Sequence, residues 1–234
     1  MRTLGLDTAG EFGSVSVLNG SHPVSELTFE ARADHGGKLT PALDAALKLA
    51  GVARTEIGLI AVSSGPGSFT GLRIGLAFAK GLARAIDCPL VGVPTLESYA
   101  ERARFWPGPT WVLVPDRRES VYRAVYQGSE LVEAPSPYRI DDLIAETTTT
   151  QADEEVGPLI IGPGMTIHRS ALEHGLPGVH FGSAALAQPS GATVGRLGLE
   201  RHGRDASDEL YELEPLYAQG PPVTPVNHNK RVSA

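Results

Sequence analysis

The stretch SSGPGSFTGLRIG, residues 63–75, sets Gly65, Pro66, Gly67, Gly71 and Gly75 between the apolar run IGLIAVSSG and a helical pattern. A strand, a glycine turn and a helix in that order is a common setting for a bound phosphate. Neither standard phosphate pattern fits the spacing. A dinucleotide fingerprint needs G-x-G-x-x-G, and Gly65, Gly67 and Gly71 leave one residue too many. A P-loop needs lysine directly after its last glycine, whereas Leu72 and Arg73 follow Gly71 and the next lysine is Lys80. Two readings stay open. The N–H groups of Gly67 to Gly71, with Arg73 nearby, offer an anion site at a helix N-terminus; alternatively the glycines serve the tight turn while Ser68 or Thr70 caps the helix.

The helix that follows says more. Placed at about 100° per residue, Arg73, Lys80, Arg84 and Asp87 share one stripe. The remaining positions of 73–87 are apolar or small and cover roughly two thirds of the circumference, more than the ~100° that one sheet buries. Something else must cover the surplus. Gly71 and Gly75, four apart, would let a second helix come close. The cover is either a partner protein or the chain's own helix at LTPALDAALKLAG, whose Leu39, Leu43 and Leu47 share a face.

Outward from this stretch, residues 3–30 alternate apolar and polar positions around turns at Gly10–Gly13 and Asn19–Gly20, the pattern of a three-stranded meander. A helix over 39–50, a buried strand ending at Gly65, a helix to about Ile86, the strand PLVGVP and the helical TLESYAERAR complete a first cycle. FWPGPT, residues 105–110, reads as a connection to a second cycle. That cycle holds a hairpin meander from Trp111, a short helix at DDLIAE, a polar surface loop at TTTTQADEEVGP, a strand, glycine turn and helix at LIIGPGMTIHRSALEHG, and a last helix near 189–203 that could pack back on the first half. The halves echo each other in element order without an obvious residue-level repeat. The expected division is a first lobe over 1–104, a second over 105–218 and a disordered tail over 219–234, where apolar periodicity is lost.

Composition narrows the function classes. The 234 residues are 41% apolar and 20% charged, ordinary for a globular protein. A formal charge of −7 argues against gripping a polyanion unaided. The lone Cys88 permits neither an internal disulfide nor a thiolate-rich zinc site, and its setting in AIDCPLVGV suggests a buried thiol. No secretory leader and no run of about 18 apolar residues is seen, so the expected location is cytoplasmic, with no membrane role.

GPGSFTGLRIG after a buried strand, LGLDTA at the start and DRRESVYRAVY in the second half together resemble the TsaB/YeaZ family. The likeness runs from Thr3 to about Tyr217, where ELEPLYAQG is similar to that family's closing segment. The resemblance implies an α/β fold of the actin-like type (ASKHA, ribonuclease H-like), with two lobes of mixed sheets flanked by helices. It implies a non-catalytic accessory subunit that binds and activates the catalytic paralogue TsaD in threonylcarbamoylation of adenosine in ANN-decoding tRNA, with the ATPase TsaE joining through the complex and tRNA met only indirectly. Carried onto this chain, the partner interface comprises Phe69, Thr70, Leu72, Arg73, Gly75 and Leu76, with Leu39, Leu43 and Leu47 beside it. A homodimer through the same face is the expectation when the partner is missing.

Departures from the family pattern are Pro115-Asp116-Arg117-Arg118, where Asp-Ala-Arg is usual after an apolar strand, and the turn GPGM at Gly162–Met165, which lacks the usual acidic residue. The alternative function is a self-sufficient ATPase or phosphotransferase. For that reading Asp7, Thr8, Gly67, Ser68 and Arg73 are the nucleotide contacts, and ATP or ADP at the partner interface stays open. Against it, Asp7 also reads as a turn-forming carboxylate. No histidine pair has the i, i+4 spacing of a metal site, His168 and His174 being six apart, so neither a metal nor an obligatory cofactor is expected. No Ser/His/Asp set has a recognisable context.

Overall fold

The computed structural model describes residues 1–31, 34–117, 119–150, 156–205 and 209–216. The expected tail at 219–234 and Arg118 lie outside them. Strands β1 (Arg2–Asp7), β2 (Phe12–Asn19) and β3 (His22–Glu30) form an antiparallel meander. Helix α1 (His35–Ala50) leads to β4 (Ile57–Gly65), parallel to β1, and α2 (Phe69–Ile86) leads to β5 (Leu90–Pro94), parallel to β4, before α3 (Thr95–Ala100).

The second half repeats the plan. β6 (Thr110–Pro115), β7 (Ser120–Gln127) and β8 (Glu130–Arg139) make the meander, followed by α4 (Ile140–Thr150), β9 (Leu159–Ile161), α5 (Pro163–Ile167), α6 (Arg169–Gly175), β10 (His180–Phe181) and α7 (Gly191–Asp205). The strand orders, β3-β2-β1-β4-β5 and β8-β7-β6-β9-β10, are the same arrangement twice. This doubled mixed sheet is the actin-like, ribonuclease H-like architecture.

Three expectations change. The TTTT run is the last turn of α4 rather than a loop. The segment after β9 breaks into two short helices at His168 instead of forming one. The repeat is visible at residue level after all: Gly65-Pro66-Gly67 follows β4 and Gly162-Pro163-Gly164 follows β9, its counterpart. Each turn lies against a neighbouring backbone, since a Cβ on Gly67 would stand 2.4 Å from the Ala9 carbonyl and one on Gly162 2.5 Å from that of Leu113.

Alternation along β1 divides the first core. Leu4 and Leu6 meet Leu39, Leu43, Leu76 and Ala79 from α1 and α2. Gly5 faces the other way, onto α7, where a Cβ would be 1.9 Å from the Gly191 carbonyl. Gly191, Gly195 and Gly198 recur along one face of α7, and Val194 and Leu197 pack with Ala61 and Val93 of β4 and β5. The N-terminus of α7 is held by the first half too: the Glu26 carboxylate accepts from the Ser190 hydroxyl and the Ala192 N–H, each at 3.0 Å, as expected for an anion at the positive end of a helix. In exchange, Leu96, Tyr99 and Ala100 of α3 enter the core of the second sheet with Val112, Val114 and Tyr122.

Residues 209–216 return to the first sheet. The Glu209 N–H donates to the Leu90 carbonyl at 2.8 Å and its carboxylate accepts from the Gly92 N–H at 2.9 Å, which covers the open edge of β5. The Leu216 N–H then donates to the Ser64 carbonyl at 2.7 Å. No helix among the described residues is long and apolar enough to cross a membrane.

Candidate functional site: the cleft and the outer face of α2

The Gly65–Gly67 turn, the β1–β2 turn and the β6–β7 turn meet around a cleft of about 480 Å³. One wall carries Phe12, Pro66, Gly67, Ser68 and Phe69. The other carries Pro115, Asp116, Arg117, Tyr122, Pro163 and Ile167, while Tyr99, Gln188 and Leu216 close the space between. The paired Gly-Pro-Gly turns thus present Pro66 and Pro163 to the same cavity. Burial first, and Asp116 beside it, push the Tyr122 hydroxyl up to about 12, so both Tyr122 and the still more deeply buried Tyr99 remain neutral donors.

Of the nucleotide contacts expected from sequence, Gly67 and Ser68 line the cleft, whereas Asp7, Thr8 and Arg73 do not. Asp7 is fully buried behind it. Its Oδ1 accepts from the Ala9 N–H at 2.9 Å and the Ser63 hydroxyl at 3.0 Å, and Oδ2 has no partner. Burial pushes this carboxyl above its ordinary range, against the pull of the Ala9 N–H, the Ser63 hydroxyl and Arg102. The Thr8 hydroxyl donates to the Gly71 carbonyl at 2.8 Å and is equally enclosed. Ser68 caps α2, its Oγ accepting from the Gly71 N–H at 3.2 Å, which is the capping role that the sequence left open. Arg73 lies outside on α2 with its guanidinium 3.8 Å above the Phe69 ring. Among the described residues no group of three or more His, Cys, Asp or Glu side chains is placed to hold a metal ion.

The interface expected from sequence divides into two groups. Leu39, Leu43, Leu47, Leu72 and Leu76 each expose 5% or less of their surface, and Gly75 is buried. These six residues present no side-chain surface to a partner, because the chain's own β1, α1 and α2 fill the space around them. Gly75 does permit a close approach, but the group that approaches is Thr8 of the same chain. Most of the surplus apolar surface of α2 is covered in the same way, Phe78, Leu82 and Ile86 packing onto the core beside Leu210 and Leu213.

What remains outside is a narrower stripe. Thr70, Ala77, Gly81 and Ala85 are exposed and Ile74 half-buried, at i, i+4, i+7, i+11 and i+15 on one helical face. Phe69 and Arg73 flank it at one end, and Arg84, donating to the Tyr211 hydroxyl at 3.0 Å, at the other. Nothing lies within 4 Å of a Cβ built on Gly81. The sequence pattern did not separate this stripe from the buried one, since both are small and apolar. The residues that close the cleft, Tyr99, Tyr122, Gln188 and Leu216, were not foreseen either. They come from four distant segments, and only the fold brings them together.

A family model described as TsaD: tRNA N6-adenosine threonylcarbamoyltransferase matches residues 29–155, more than half of the chain. The tRNA threonylcarbamoyladenosine biosynthesis protein TsaB of Bacillus subtilis is 28% identical over 219 residues, covering 93% of each chain. The Escherichia coli protein of the same name is 38% identical over 132 residues, covering 56% of this chain and 57% of that one. Among solved structures, YeaZ from Pseudomonas aeruginosa superposes with a TM-score of 0.75 at 25% identity, covering 92% of this chain and 99% of that chain. The ethanolamine utilization protein EutJ from Carboxydothermus hydrogenoformans, at TM-score 0.54 and 13% identity over 85% of this chain and 89% of that one, shares the fold alone. The chain belongs to the family that the TsaD model describes, and within it to the TsaB/YeaZ group.

Proposed function

We propose that this chain is a non-catalytic accessory subunit in tRNA threonylcarbamoyladenosine biosynthesis, and that it binds and activates a TsaD-type catalytic partner through the outer face of α2. The names of its relatives support the pathway. The observation that carries the contact is the exposed stripe of Thr70, Ile74, Ala77, Gly81 and Ala85, small enough for a helix of another protein to approach the backbone of α2. A net charge of −7 fits a subunit that reaches tRNA only through its partner, and through that partner the ATPase TsaE. Without the partner, a second copy of the chain pairs on the same stripe, and the location is cytoplasmic.

The enclosure of Asp7 and Thr8 behind the cleft weighs against independent ATP hydrolysis. Co-elution with a TsaD-type protein tests the reading. Gly81→Trp and Ala77→Glu, both at exposed positions, are expected to leave the fold intact and abolish the complex, and undiminished co-elution would refute the assignment. Magnesium-dependent ATP turnover by the purified chain, lost in Asp7→Asn, would instead favour the ATPase.

A further inference from the structure

We propose that a second pocket, between α3, the β7–β8 turn and α7, binds a small hydrophilic oxyanion, a phosphate or a carboxylate. None of its lining residues belongs to α2 or to the cleft, so the inference is independent of the partner reading. The pocket holds about 320 Å³, near the lower end of the range for small-molecule sites. Ala100 and Leu197 are its apolar lining residues; the others are charged or polar, which suits a ligand rich in polar groups.

A buried phenol is the first observation that carries it. Tyr126 of β7 exposes 4% of its surface and sets its ring in the core of the second sheet with Leu96, Val112 and Ala124. Its hydroxyl is the end left to the pocket, and it has no hydrogen-bond partner among the described residues. Burial first, and Glu97 after it, hold this hydroxyl above its ordinary range against the pull of Arg201, so it stays a neutral donor. A donor so enclosed ordinarily finds an acceptor.

The second is the state of the charges. Each glutamate that lines the pocket is already engaged. Glu97 pairs with Arg201. Glu101 accepts from Arg104 at 3.0 Å, from Arg196 at 2.8 Å and from the Ser129 hydroxyl at 3.3 Å, and Glu200 from Arg196 at 2.8 Å. Donors, by contrast, are left over. Arg204, exposed on the last turn of α7, has no partner among the described residues, and Arg201 Nε is enclosed without an acceptor. With Arg196 included, four guanidinium groups stand against three carboxylates, an excess of positive charge in a chain of net −7. The pocket therefore lacks an acceptor that carries negative charge, and the guanidinium fork matches the paired oxygens of a phosphate or carboxylate. A cation would first have to displace an arginine from one of these glutamates.

Amide NMR spectra of the isotope-labelled full-length chain test the proposal, with sodium phosphate or sodium acetate titrated while sodium chloride holds the ionic strength constant. At least one of the two anions is expected to shift the amides around Glu101, Tyr126 and Arg201 saturably, half-way at about 1–10 mM, as suits a small site with a few charge-assisted bonds. The anion that saturates at the lower concentration identifies the group recognised. Arg204→Gln should weaken binding about tenfold and Tyr126→Phe severalfold. Arg54→Gln, outside the pocket, should leave it unchanged. Arg204 lies on the surface, so its replacement reads binding apart from the packing of Tyr126. A response still linear at about 100 mM with both anions would overturn the proposal. So would saturation confined to amides away from the pocket, or affinities equal in all three variants.

Discussion

The Thr8 hydroxyl donates to the Gly71 carbonyl at 2.8 Å and fills the space beside Gly75, where a Cβ would come 2.1 Å from Thr8 Oγ1. The glycine at 75 thus joins β1 to α2. Gly75→Ala is expected to lower stability by about 1–3 kcal/mol, the usual range for extra atoms forced into a packed site. Urea unfolding measures it, and Thr8→Ala in the same chain should restore part of the loss, since the two positions are coupled.

Gly81 gives the opposite result on the same helix. A Cβ there meets nothing within 4 Å, and glycine in a helix interior costs up to about 1 kcal/mol relative to alanine. Gly81→Ala should raise the urea midpoint by a corresponding amount. A loss of stability would show that the stripe on α2 is already covered in the isolated protein.

The buried Asp7 carboxyl makes stability depend on pH. Its folded pKa lies above the ordinary 3.8, so as pH rises past that value the unfolded chain releases a proton which the folded chain retains. Stability is therefore full below 3.8, falls as pH climbs through the folded pKa and stays lower beyond it. Asp7→Asn removes this dependence while keeping an acceptor for the Ala9 N–H and the Ser63 hydroxyl. Urea midpoints taken between pH 4 and pH 8 should show the variant gaining on the parent as pH rises.

Much of this was legible in the sequence for a physical reason. Strands and helices of a two-sheet protein carry periods of two and 3.6, and the meanders, α1, α2 and α7 follow them closely. Inside and outside were harder to separate where residues are small. Glycines at 71, 75 and 81 look alike in sequence, yet the first two are buried and the third faces open space. Likewise Gly191, Gly195 and Gly198 carry no sign of the sheet they press against, because the complementary partners, Gly5 and Ala61, lie more than 100 residues earlier. The cleft stayed hidden because its lining is assembled from turns whose proximity no local pattern encodes.

The strap over β5 can be tested at Glu209, whose carboxylate accepts from the Gly92 N–H. Glu209→Ala is expected to lower stability by about 1–3 kcal/mol, the range for a hydrogen bond to a charged group in a partly buried setting. Hydrogen exchange should show the Gly92 amide losing protection before the amides of β1, in the centre of the sheet. Unchanged exchange at Gly92 would mean that the edge is closed by other contacts.

The exchange of α3 and α7 between the two sheets sets a timetable for synthesis. The first sheet is complete in its strands by Pro94, yet the helix that covers its second face ends at Asp205. During translation, Ala61 and Val93 therefore wait for their cover while the whole second sheet is being made. A ribosome-bound chain halted near residue 150 should consequently be more vulnerable to proteases and chaperones than its finished first sheet would suggest.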